Sequence, residues 1–412
     1  MQLEVSKGSL AEAIEWVRKA QTKKDNRVQL HVSPRGAVTL FMANQSVAAS
    51  APVAVEQFAF EDDDPEKTVA KGVTYIMPMD MVATLDGGMN GAATVSITPM
   101  TVGDGPAQQE QVSFAGDDGT HIRIPLLLTK HRATQMPEVT ELFTVGVEEF
   151  FPALRQLNAI SDKEKADASM PYSTIWMSVP EGTCQLVATD RYAFGVVKLP
   201  VTMSAETEAL EGIEQETIML PQSHLSMLTR PPKGVAQVQV GYNQHSRKVG
   251  FAFEDGKSIV ISTPNMKPLN LTPIWKRMEA EHPEKVMFPR TDARSALNVL
   301  RALEADDSKV ELLLDAEETT LALTDVKHQG RLRIPVDAEH TTLRAESQPE
   351  MMLYREPLGK VLSSCPSPNI VFEFGAPEPE QAAKEVIAYP VTEKGERIDH
   401  GITYLLAVHA KH

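Results

Sequence analysis

The sequence predicts an α+β protein built from three similar parts in tandem. Two patterns carry that expectation. Amphipathic helical stretches recur with a period of about 140 residues and a half-period of about 70, and alternating strand patterns fill the intervals between them. Self-similarity at a fixed period marks a repeated architecture. Helices that interrupt antiparallel meanders point to α+β rather than to a doubly wound parallel sheet.

The first helix of each part is the clearest. "GSLAEAIEWVRKA" (8–20) sets Leu10, Ile14 and Val17 on one face, and "VEEFFPALRQLNAI" (147–160) does the same with Phe150, Phe151, Leu154 and Leu157. "RTDARSALNVLRALE" (290–304) repeats the pattern with Ala293, Leu297 and Leu300. All three follow the i, i+3, i+4, i+7 spacing of a half-buried helix. Their starts lie 139 and 143 residues apart. A second helix follows in each part, at 77–88, 220–232 and 354–366, ending respectively at Gly87-Gly88, Pro231-Pro232 and Cys365-Pro366. Glycine and proline stop helices through backbone freedom and a missing N–H.

Strand patterns lie between the helices. "RVQLHV" and "GAVTLFMA" are joined by Ser33-Pro34-Arg35-Gly36, and "STIWMSV" and "CQLVAT" by Pro180-Glu181-Gly182. "KVELLLD" and "TTLALTD" are joined by Ala316-Glu317-Glu318, and "AQVQVGY" is followed by "KVGFAFEDGKSIVIS", with Glu254-Asp255-Gly256 as a turn. Period-2 alternation broken by turn residues reads as hairpins. The polar, proline-containing stretches "KHRATQMPEVTE" and "KRMEAEHPEK" read as linkers. The expected domains are therefore 1–142, 143–284 and 285–412.

Composition narrows the function. With 42% hydrophobic and 23% charged residues, each part can bury a core, and no apolar run reaches the length of a membrane helix. The N-terminus lacks the basic–apolar–small layout of a secretory signal, and two cysteines make no disulfide framework, so a cytoplasmic protein without a membrane partner is expected. The net charge of −16 argues against tight, sequence-specific DNA binding but is silent on a local basic lining.

The usual marks of catalysis are missing. No glycine-rich phosphate loop, zinc-type cysteine pair or His-Glu-x-x-His appears, and the acidic run from Glu61 to Asp64 lacks calcium-loop spacing and reads as a solvated loop. Ser223-His224 falls at the start of a predicted helix, where serine caps. No enzyme, cofactor or metal site is expected.

One stretch stands apart. "LVATDRYAFGVVKLP" (186–200) sets Thr189, Asp190, Arg191 and Tyr192 between two apolar runs. It reads as a strand closing in a tight turn, with Asp190 bonding its own backbone and a nearby arginine bracing it. It also reads as an exposed docking loop, since arginine and aromatic residues are favoured at binding hot spots.

Together, the threefold period, the paired helices and "LVATDRYAF" resemble the bacterial β sliding clamp of DNA polymerase III. Ala188, Thr189, Asp190, Arg191 and Tyr192 fit that family's middle-domain block, with Ala193 where arginine is common and Phe194 where leucine is common. Within "LTPIWKRM" (271–278), Pro273, Trp275, Lys276 and Arg277 fit its proline–aromatic–basic block. Within "ITYLLAVHAKH", Tyr404, Leu405 and Leu406 fit its closing strand, while Ala407, Val408 and His409 depart from it.

The resemblance implies a DNA-clamp fold and a non-catalytic, head-to-tail homodimeric ring around double-stranded DNA, which it holds topologically and without regard to sequence. Helices would line the hole, with Lys23, Lys24, Arg155, Arg230, Lys233, Arg277 and Arg301 as DNA-facing residues and Arg18, Lys19, Arg294 and Lys360 as further candidates. A groove between the middle and last domains would take short linear peptides of the replicative polymerase, the clamp loader and repair proteins. Its candidate residues are Thr189, Arg191, Tyr192, Phe194, Pro273, Met278, Leu405 and Ala407. The altered tail leaves room for an alternative, a clamp paralogue serving phage or plasmid replication, antibiotic resistance or repair.

Overall fold

A computed structural model describes residues 2–59, 72–103, 108–127, 134–161, 171–205, 207, 212, 216–228, 230–303, 309–315, 320–325, 331–343, 350–375, 385–399 and 401–409. The acidic run from Glu61 to Asp64 and the turn Ala316-Glu317-Glu318 lie outside these residues.

Among the described residues there are seven α-helices. They are α1 (Lys7–Val17), α2 (Met79–Gly88), α3 (Val147–Ile160), α4 (Gln222–Leu228), α5 (Thr272–Met278), α6 (Arg290–Leu303) and α7 (Arg355–Ser364). Apart from α5, they fall into three successive pairs, as the repeat predicts. The expected first helix is shorter than its periodic pattern, because Arg18–Ala20 tightens into a 3-10 turn. Ser223 is not a cap: α4 begins one residue earlier, at Gln222. Helix α5 lies outside the periodic pattern, since a seven-residue helix opening on proline has too few turns to display a period.

Local chemistry explains where the long helices form. Ser6 caps α1, its Oγ accepting the Ser9 N–H, and Leu10, Ala13, Ile14 and Val17 form the buried stripe. Helix α3 begins with Glu148 and Glu149, which favour the positive end of the helix dipole, and buries Phe150, Phe151, Leu154, Leu157 and Ile160. Helix α6 carries Asp292 in its first turn and Arg301 in its last, the same complement in both senses.

The chain divides into two compact units. Residues 1–144, 203–209 and 231–263 form one, and residues 145–202, 210–230 and 264–412 form the other. The first contains a five-stranded sheet in the order Val55–Ala59, Gln2–Ser6, Thr94–Val102, Gln109–Gly116, His121–Pro125. It also contains most of a nine-stranded sheet, in the order Thr202–Met203, Thr140–Gly146, Gln237–Asn243, Lys248–Phe253, Ser258–Ser262, Val47–Val53, Val38–Ala43, Arg27–Val32, Val73–Pro78. The join between Ser258–Ser262 and Val47–Val53 is antiparallel, with Val260 opposite Ala48. Trp16 of α1 secures it, donating its indole N–H to the Ser258 carbonyl at 3.0 Å and packing edge-on against Phe253.

The second unit contains a twelve-stranded sheet. Its main path runs Ile218–Pro221, Thr174–Ser178, Thr183–Thr189, Ala193–Pro200, Thr403–His409, Glu350–Tyr354, Lys309–Asp315, Thr320–Asp325, Arg331–Pro335. Strand Thr403–His409 is the branch point. It pairs with Ala193–Pro200, with Glu385–Val391 and, at its far end, with Glu350–Tyr354. Helix α3 lies close over this sheet at Gly195, where a Cβ would come within 3.0 Å of Leu157. A side chain there would push the Leu157 methyl aside, so glycine suits the close approach.

Candidate functional site

The tetrad forms a tight turn between Thr183–Thr189 and Ala193–Pro200. Hydrogen bonds within the turn define its shape. Thr189 Oγ1 donates to the Ala193 carbonyl at 2.8 Å and accepts the Arg191 N–H at 3.0 Å. Asp190 Oδ1 accepts the N–H groups of Tyr192 and Ala193 at 3.1 and 2.8 Å. These bonds hold Arg191 at φ 85°, a left-handed conformation costly for any residue with a Cβ.

The brace on Asp190 is not the arginine that local reading suggests. Lys360 of α7 donates to Asp190 Oδ2 at 2.7 Å and pairs with Glu356 at 3.1 Å. Burial alone would lower the Lys360 pKa. The hydrogen bond and charge of Asp190, followed by those of Glu356, outweigh burial and hold it above the ordinary lysine value. Lys360 is thereby committed to the turn rather than left as a lining cation.

Beyond the turn, one face of the sheet is apolar. Trp176, Val187, Phe194, Val196, Ile387, Tyr389 and Leu405 belong to a single buried cluster, and Met266, Leu269, Leu271, Ile274, Trp275 and Met278 pack on it. Helix α5 brings its aromatic residue directly over the floor: Trp275 meets Phe194 edge-on, with ring centroids 5.7 Å apart. Lys198 Nζ lies 5.7 Å from the Trp275 ring.

The eight groove candidates therefore divide by depth. Thr189, Phe194 and Leu405 are buried, Phe194 being 3% exposed. Met278 and Ala407 are half-buried, and Arg191 and Pro273 are exposed. Tyr192 is 43% exposed and stacks at a tilt on Tyr354, with centroids 4.3 Å apart. The Arg191 guanidinium lies 5.1 Å from the ring of Tyr172. Ala407 donates its N–H to the Tyr192 carbonyl at 2.9 Å, joining the turn to the C-terminal strand. Tyr404 points to the other face, where its buried hydroxyl lies 3.0 Å from Ser364 Oγ and burial raises its pKa.

Sequence reading overlooked three neighbours: Tyr354, Glu385 and Tyr389. Tyr354 ends a strand in a distant part of the chain, and nothing local ties it to Tyr192. Glu385 and Tyr389 occupy alternate positions of "EVIAYPV" with Ile387, a pattern that places them on one strand face.

The DNA-facing candidates are exposed. Lys23, Lys24 and Lys233 belong to the first unit, with Lys23 and Lys24 in the loop after the 3-10 turn. Arg155 on α3, Arg230 after α4, Arg277 in the last turn of α5 and Arg301 in the last turn of α6 belong to the second.

The full-length architecture is that of the bacterial sliding clamps. The β subunit of the DNA polymerase of Streptococcus pyogenes superposes with a TM-score of 0.75 at 11% identity, and the DNA polymerase sliding clamp of Caulobacter crescentus with 0.72 at 13%, each over 100% of both chains. The DNA polymerase III β subunit of Thermotoga maritima gives 0.70 at 11% over the same span. No protein-family model matches the sequence, and no curated protein matches it. At this level of identity the likeness establishes the fold.

Proposed function

We propose that the protein is a non-catalytic sliding clamp, in which two copies join head to tail, encircle duplex DNA and tether a polymerase and other partners through peptides docked beside the tetrad. In this reading the domains are 1–142, 143–284 and 285–412, and the protein works in the cytoplasm.

A repeated rule of strand pairing supports the reading. The last strand of the middle part, Ser258–Ser262, pairs with Val47–Val53 of the first part. The last strand of the third part, Thr403–His409, pairs with Ala193–Pro200 of the middle part. One combination is left over: the last strand of the first part, His121–Pro125, with Arg331–Pro335 of the third. Both stand at ends of their sheet orders among the described residues. Unpaired edges template further pairing. A heterologous contact that closes after two copies gives a ring. Carrying the existing registers over sets Leu332 opposite Ile122, each half-buried.

The ring needs little affinity for DNA. Lys23, Lys24, Arg155, Arg230, Lys233, Arg277 and Arg301 would offer weak phosphate contacts, compatible with sliding, while the net charge of −16 repels DNA elsewhere. Loading onto a nicked circle tests the reading. The protein should stay on the closed circle and leave once the circle is cut. Retention on linear DNA with free ends would refute topological holding. A paralogue with other partners is favoured only by the departures at Ala407, Val408 and His409. Failure to bind the host polymerase's clamp-binding peptide would decide for it.

A further inference from the structure

The proposed peptide groove would end at a polar corner that apolar docking does not use. Strand register puts four side chains there. Leu405 stands opposite Ile387, and Ala407 stands opposite Glu385, so Ala407 and Glu385 share the face of the apolar cluster. On the other side of the strand, Ala193 pairs with Leu406 and Leu353 with Val408. The next residue along each, Tyr192 and Tyr354, therefore flanks Ala407, and the two rings lie 4.3 Å apart.

Glu385 is the unusual member. Its Oε2 is buried and has no hydrogen-bond donor among the described residues. A buried carboxylate oxygen without a donor costs free energy until a donor arrives. The lysine that braces the turn is already engaged, Lys360 being bonded to Asp190 and Glu356. Beside the carboxylate, Ala407 leaves more room than a longer side chain would, and the tyrosine pair offers aromatic surface. A carboxylate acceptor next to aromatic rings suits a guanidinium or ammonium group, through a charge-assisted hydrogen bond and cation–π attraction.

We propose that this corner is a cation subsite, which takes an arginine or lysine side chain of the docked peptide against Glu385 and beside Tyr192 and Tyr354. The inference rests on the peptide-groove reading above and adds the chemistry of one anchor to it. It makes Glu385 and Ala407 specificity-determining residues that distinguish basic from purely apolar partner segments.

Fluorescence anisotropy on the full chain tests it. The probes are a labelled Ala-Leu-Ala-Leu-Phe peptide and the same peptide carrying arginine at each position in turn. At least one arginine peptide should bind about tenfold more tightly than the parent. That preference should vanish in Glu385→Gln and shrink in Ala407→Met, which keeps the carboxylate but fills the space beside it. If the parent binds and arginine brings no gain at any position, or if the gain survives both substitutions, the cation subsite is wrong and the groove stands. If neither the parent nor any arginine peptide binds, the groove reading falls and the subsite with it.

Discussion

Asp190 does more for the tetrad than its neighbours do. It accepts two backbone N–H groups and the Lys360 ammonium, and is buried while doing so. Asp190→Ala should cost roughly 2–3 kcal/mol in urea unfolding, because three donors lose their acceptor while Lys360 keeps Glu356. The same pair sets a pH limit. The Lys360 pKa is raised above its ordinary 10.5, so its contribution is complete below that value and lost as pH rises through the higher folded value. Stability should therefore fall more steeply above about pH 10.5 in the wild type than in Asp190→Asn, as denaturant midpoints across pH would read. Tyr192 in the turn and Phe194 on the strand that leaves it should part company on mutation. Tyr192→Ala should weaken peptide binding by about 1–3 kcal/mol as an exposed anchor. Phe194→Ala, under Trp275, should instead lower folding stability by about 3–5 kcal/mol. Equal effects of both on stability would contradict this division of depth.

Secondary elements were legible to the extent that they carry their own period. Helices α1, α3 and α6 advertise themselves through stripes such as Phe150, Leu154 and Leu157, and glycine or proline marks the ends of the second helices. The tetrad was legible as a turn, since Asp190 bonds the backbone of its own turn. Partnerships between distant strands were not. Nothing in "VAASAPV" names Ser258–Ser262 as its neighbour, and nothing in "EMMLY" brings Tyr354 to Tyr192. Such pairings arise from sheet order, which local alternation leaves open. Helix α5 escaped for a different reason, being a short element held by what it covers. Trp275→Ala should therefore uncover Phe194 and reduce stability by roughly 1–3 kcal/mol, checked by urea unfolding.

For the whole molecule, the proposed closure makes a prediction about salt. The register that sets Leu332 opposite Ile122 also sets Arg331 opposite Arg123, and like charges directly opposite oppose pairing. Raising ionic strength to about 0.3 M should therefore tighten the dimer by screening, as sedimentation equilibrium would show, even as it weakens phosphate contacts. A dimer that loosens with salt would place attractive charges at the closure instead. The join of Ser258–Ser262 to Val47–Val53 has one more consequence, for the ribosome. The edge of Val47–Val53 leaves the exit tunnel about 200 residues before its partner exists. At ordinary rates of translation, roughly 5–20 residues per second, that strand waits on the order of 10–40 s with its edge bare. A nascent chain of this protein is thus most exposed to aggregation and to chaperones in mid-synthesis, and that interval ends only when residue 262 emerges.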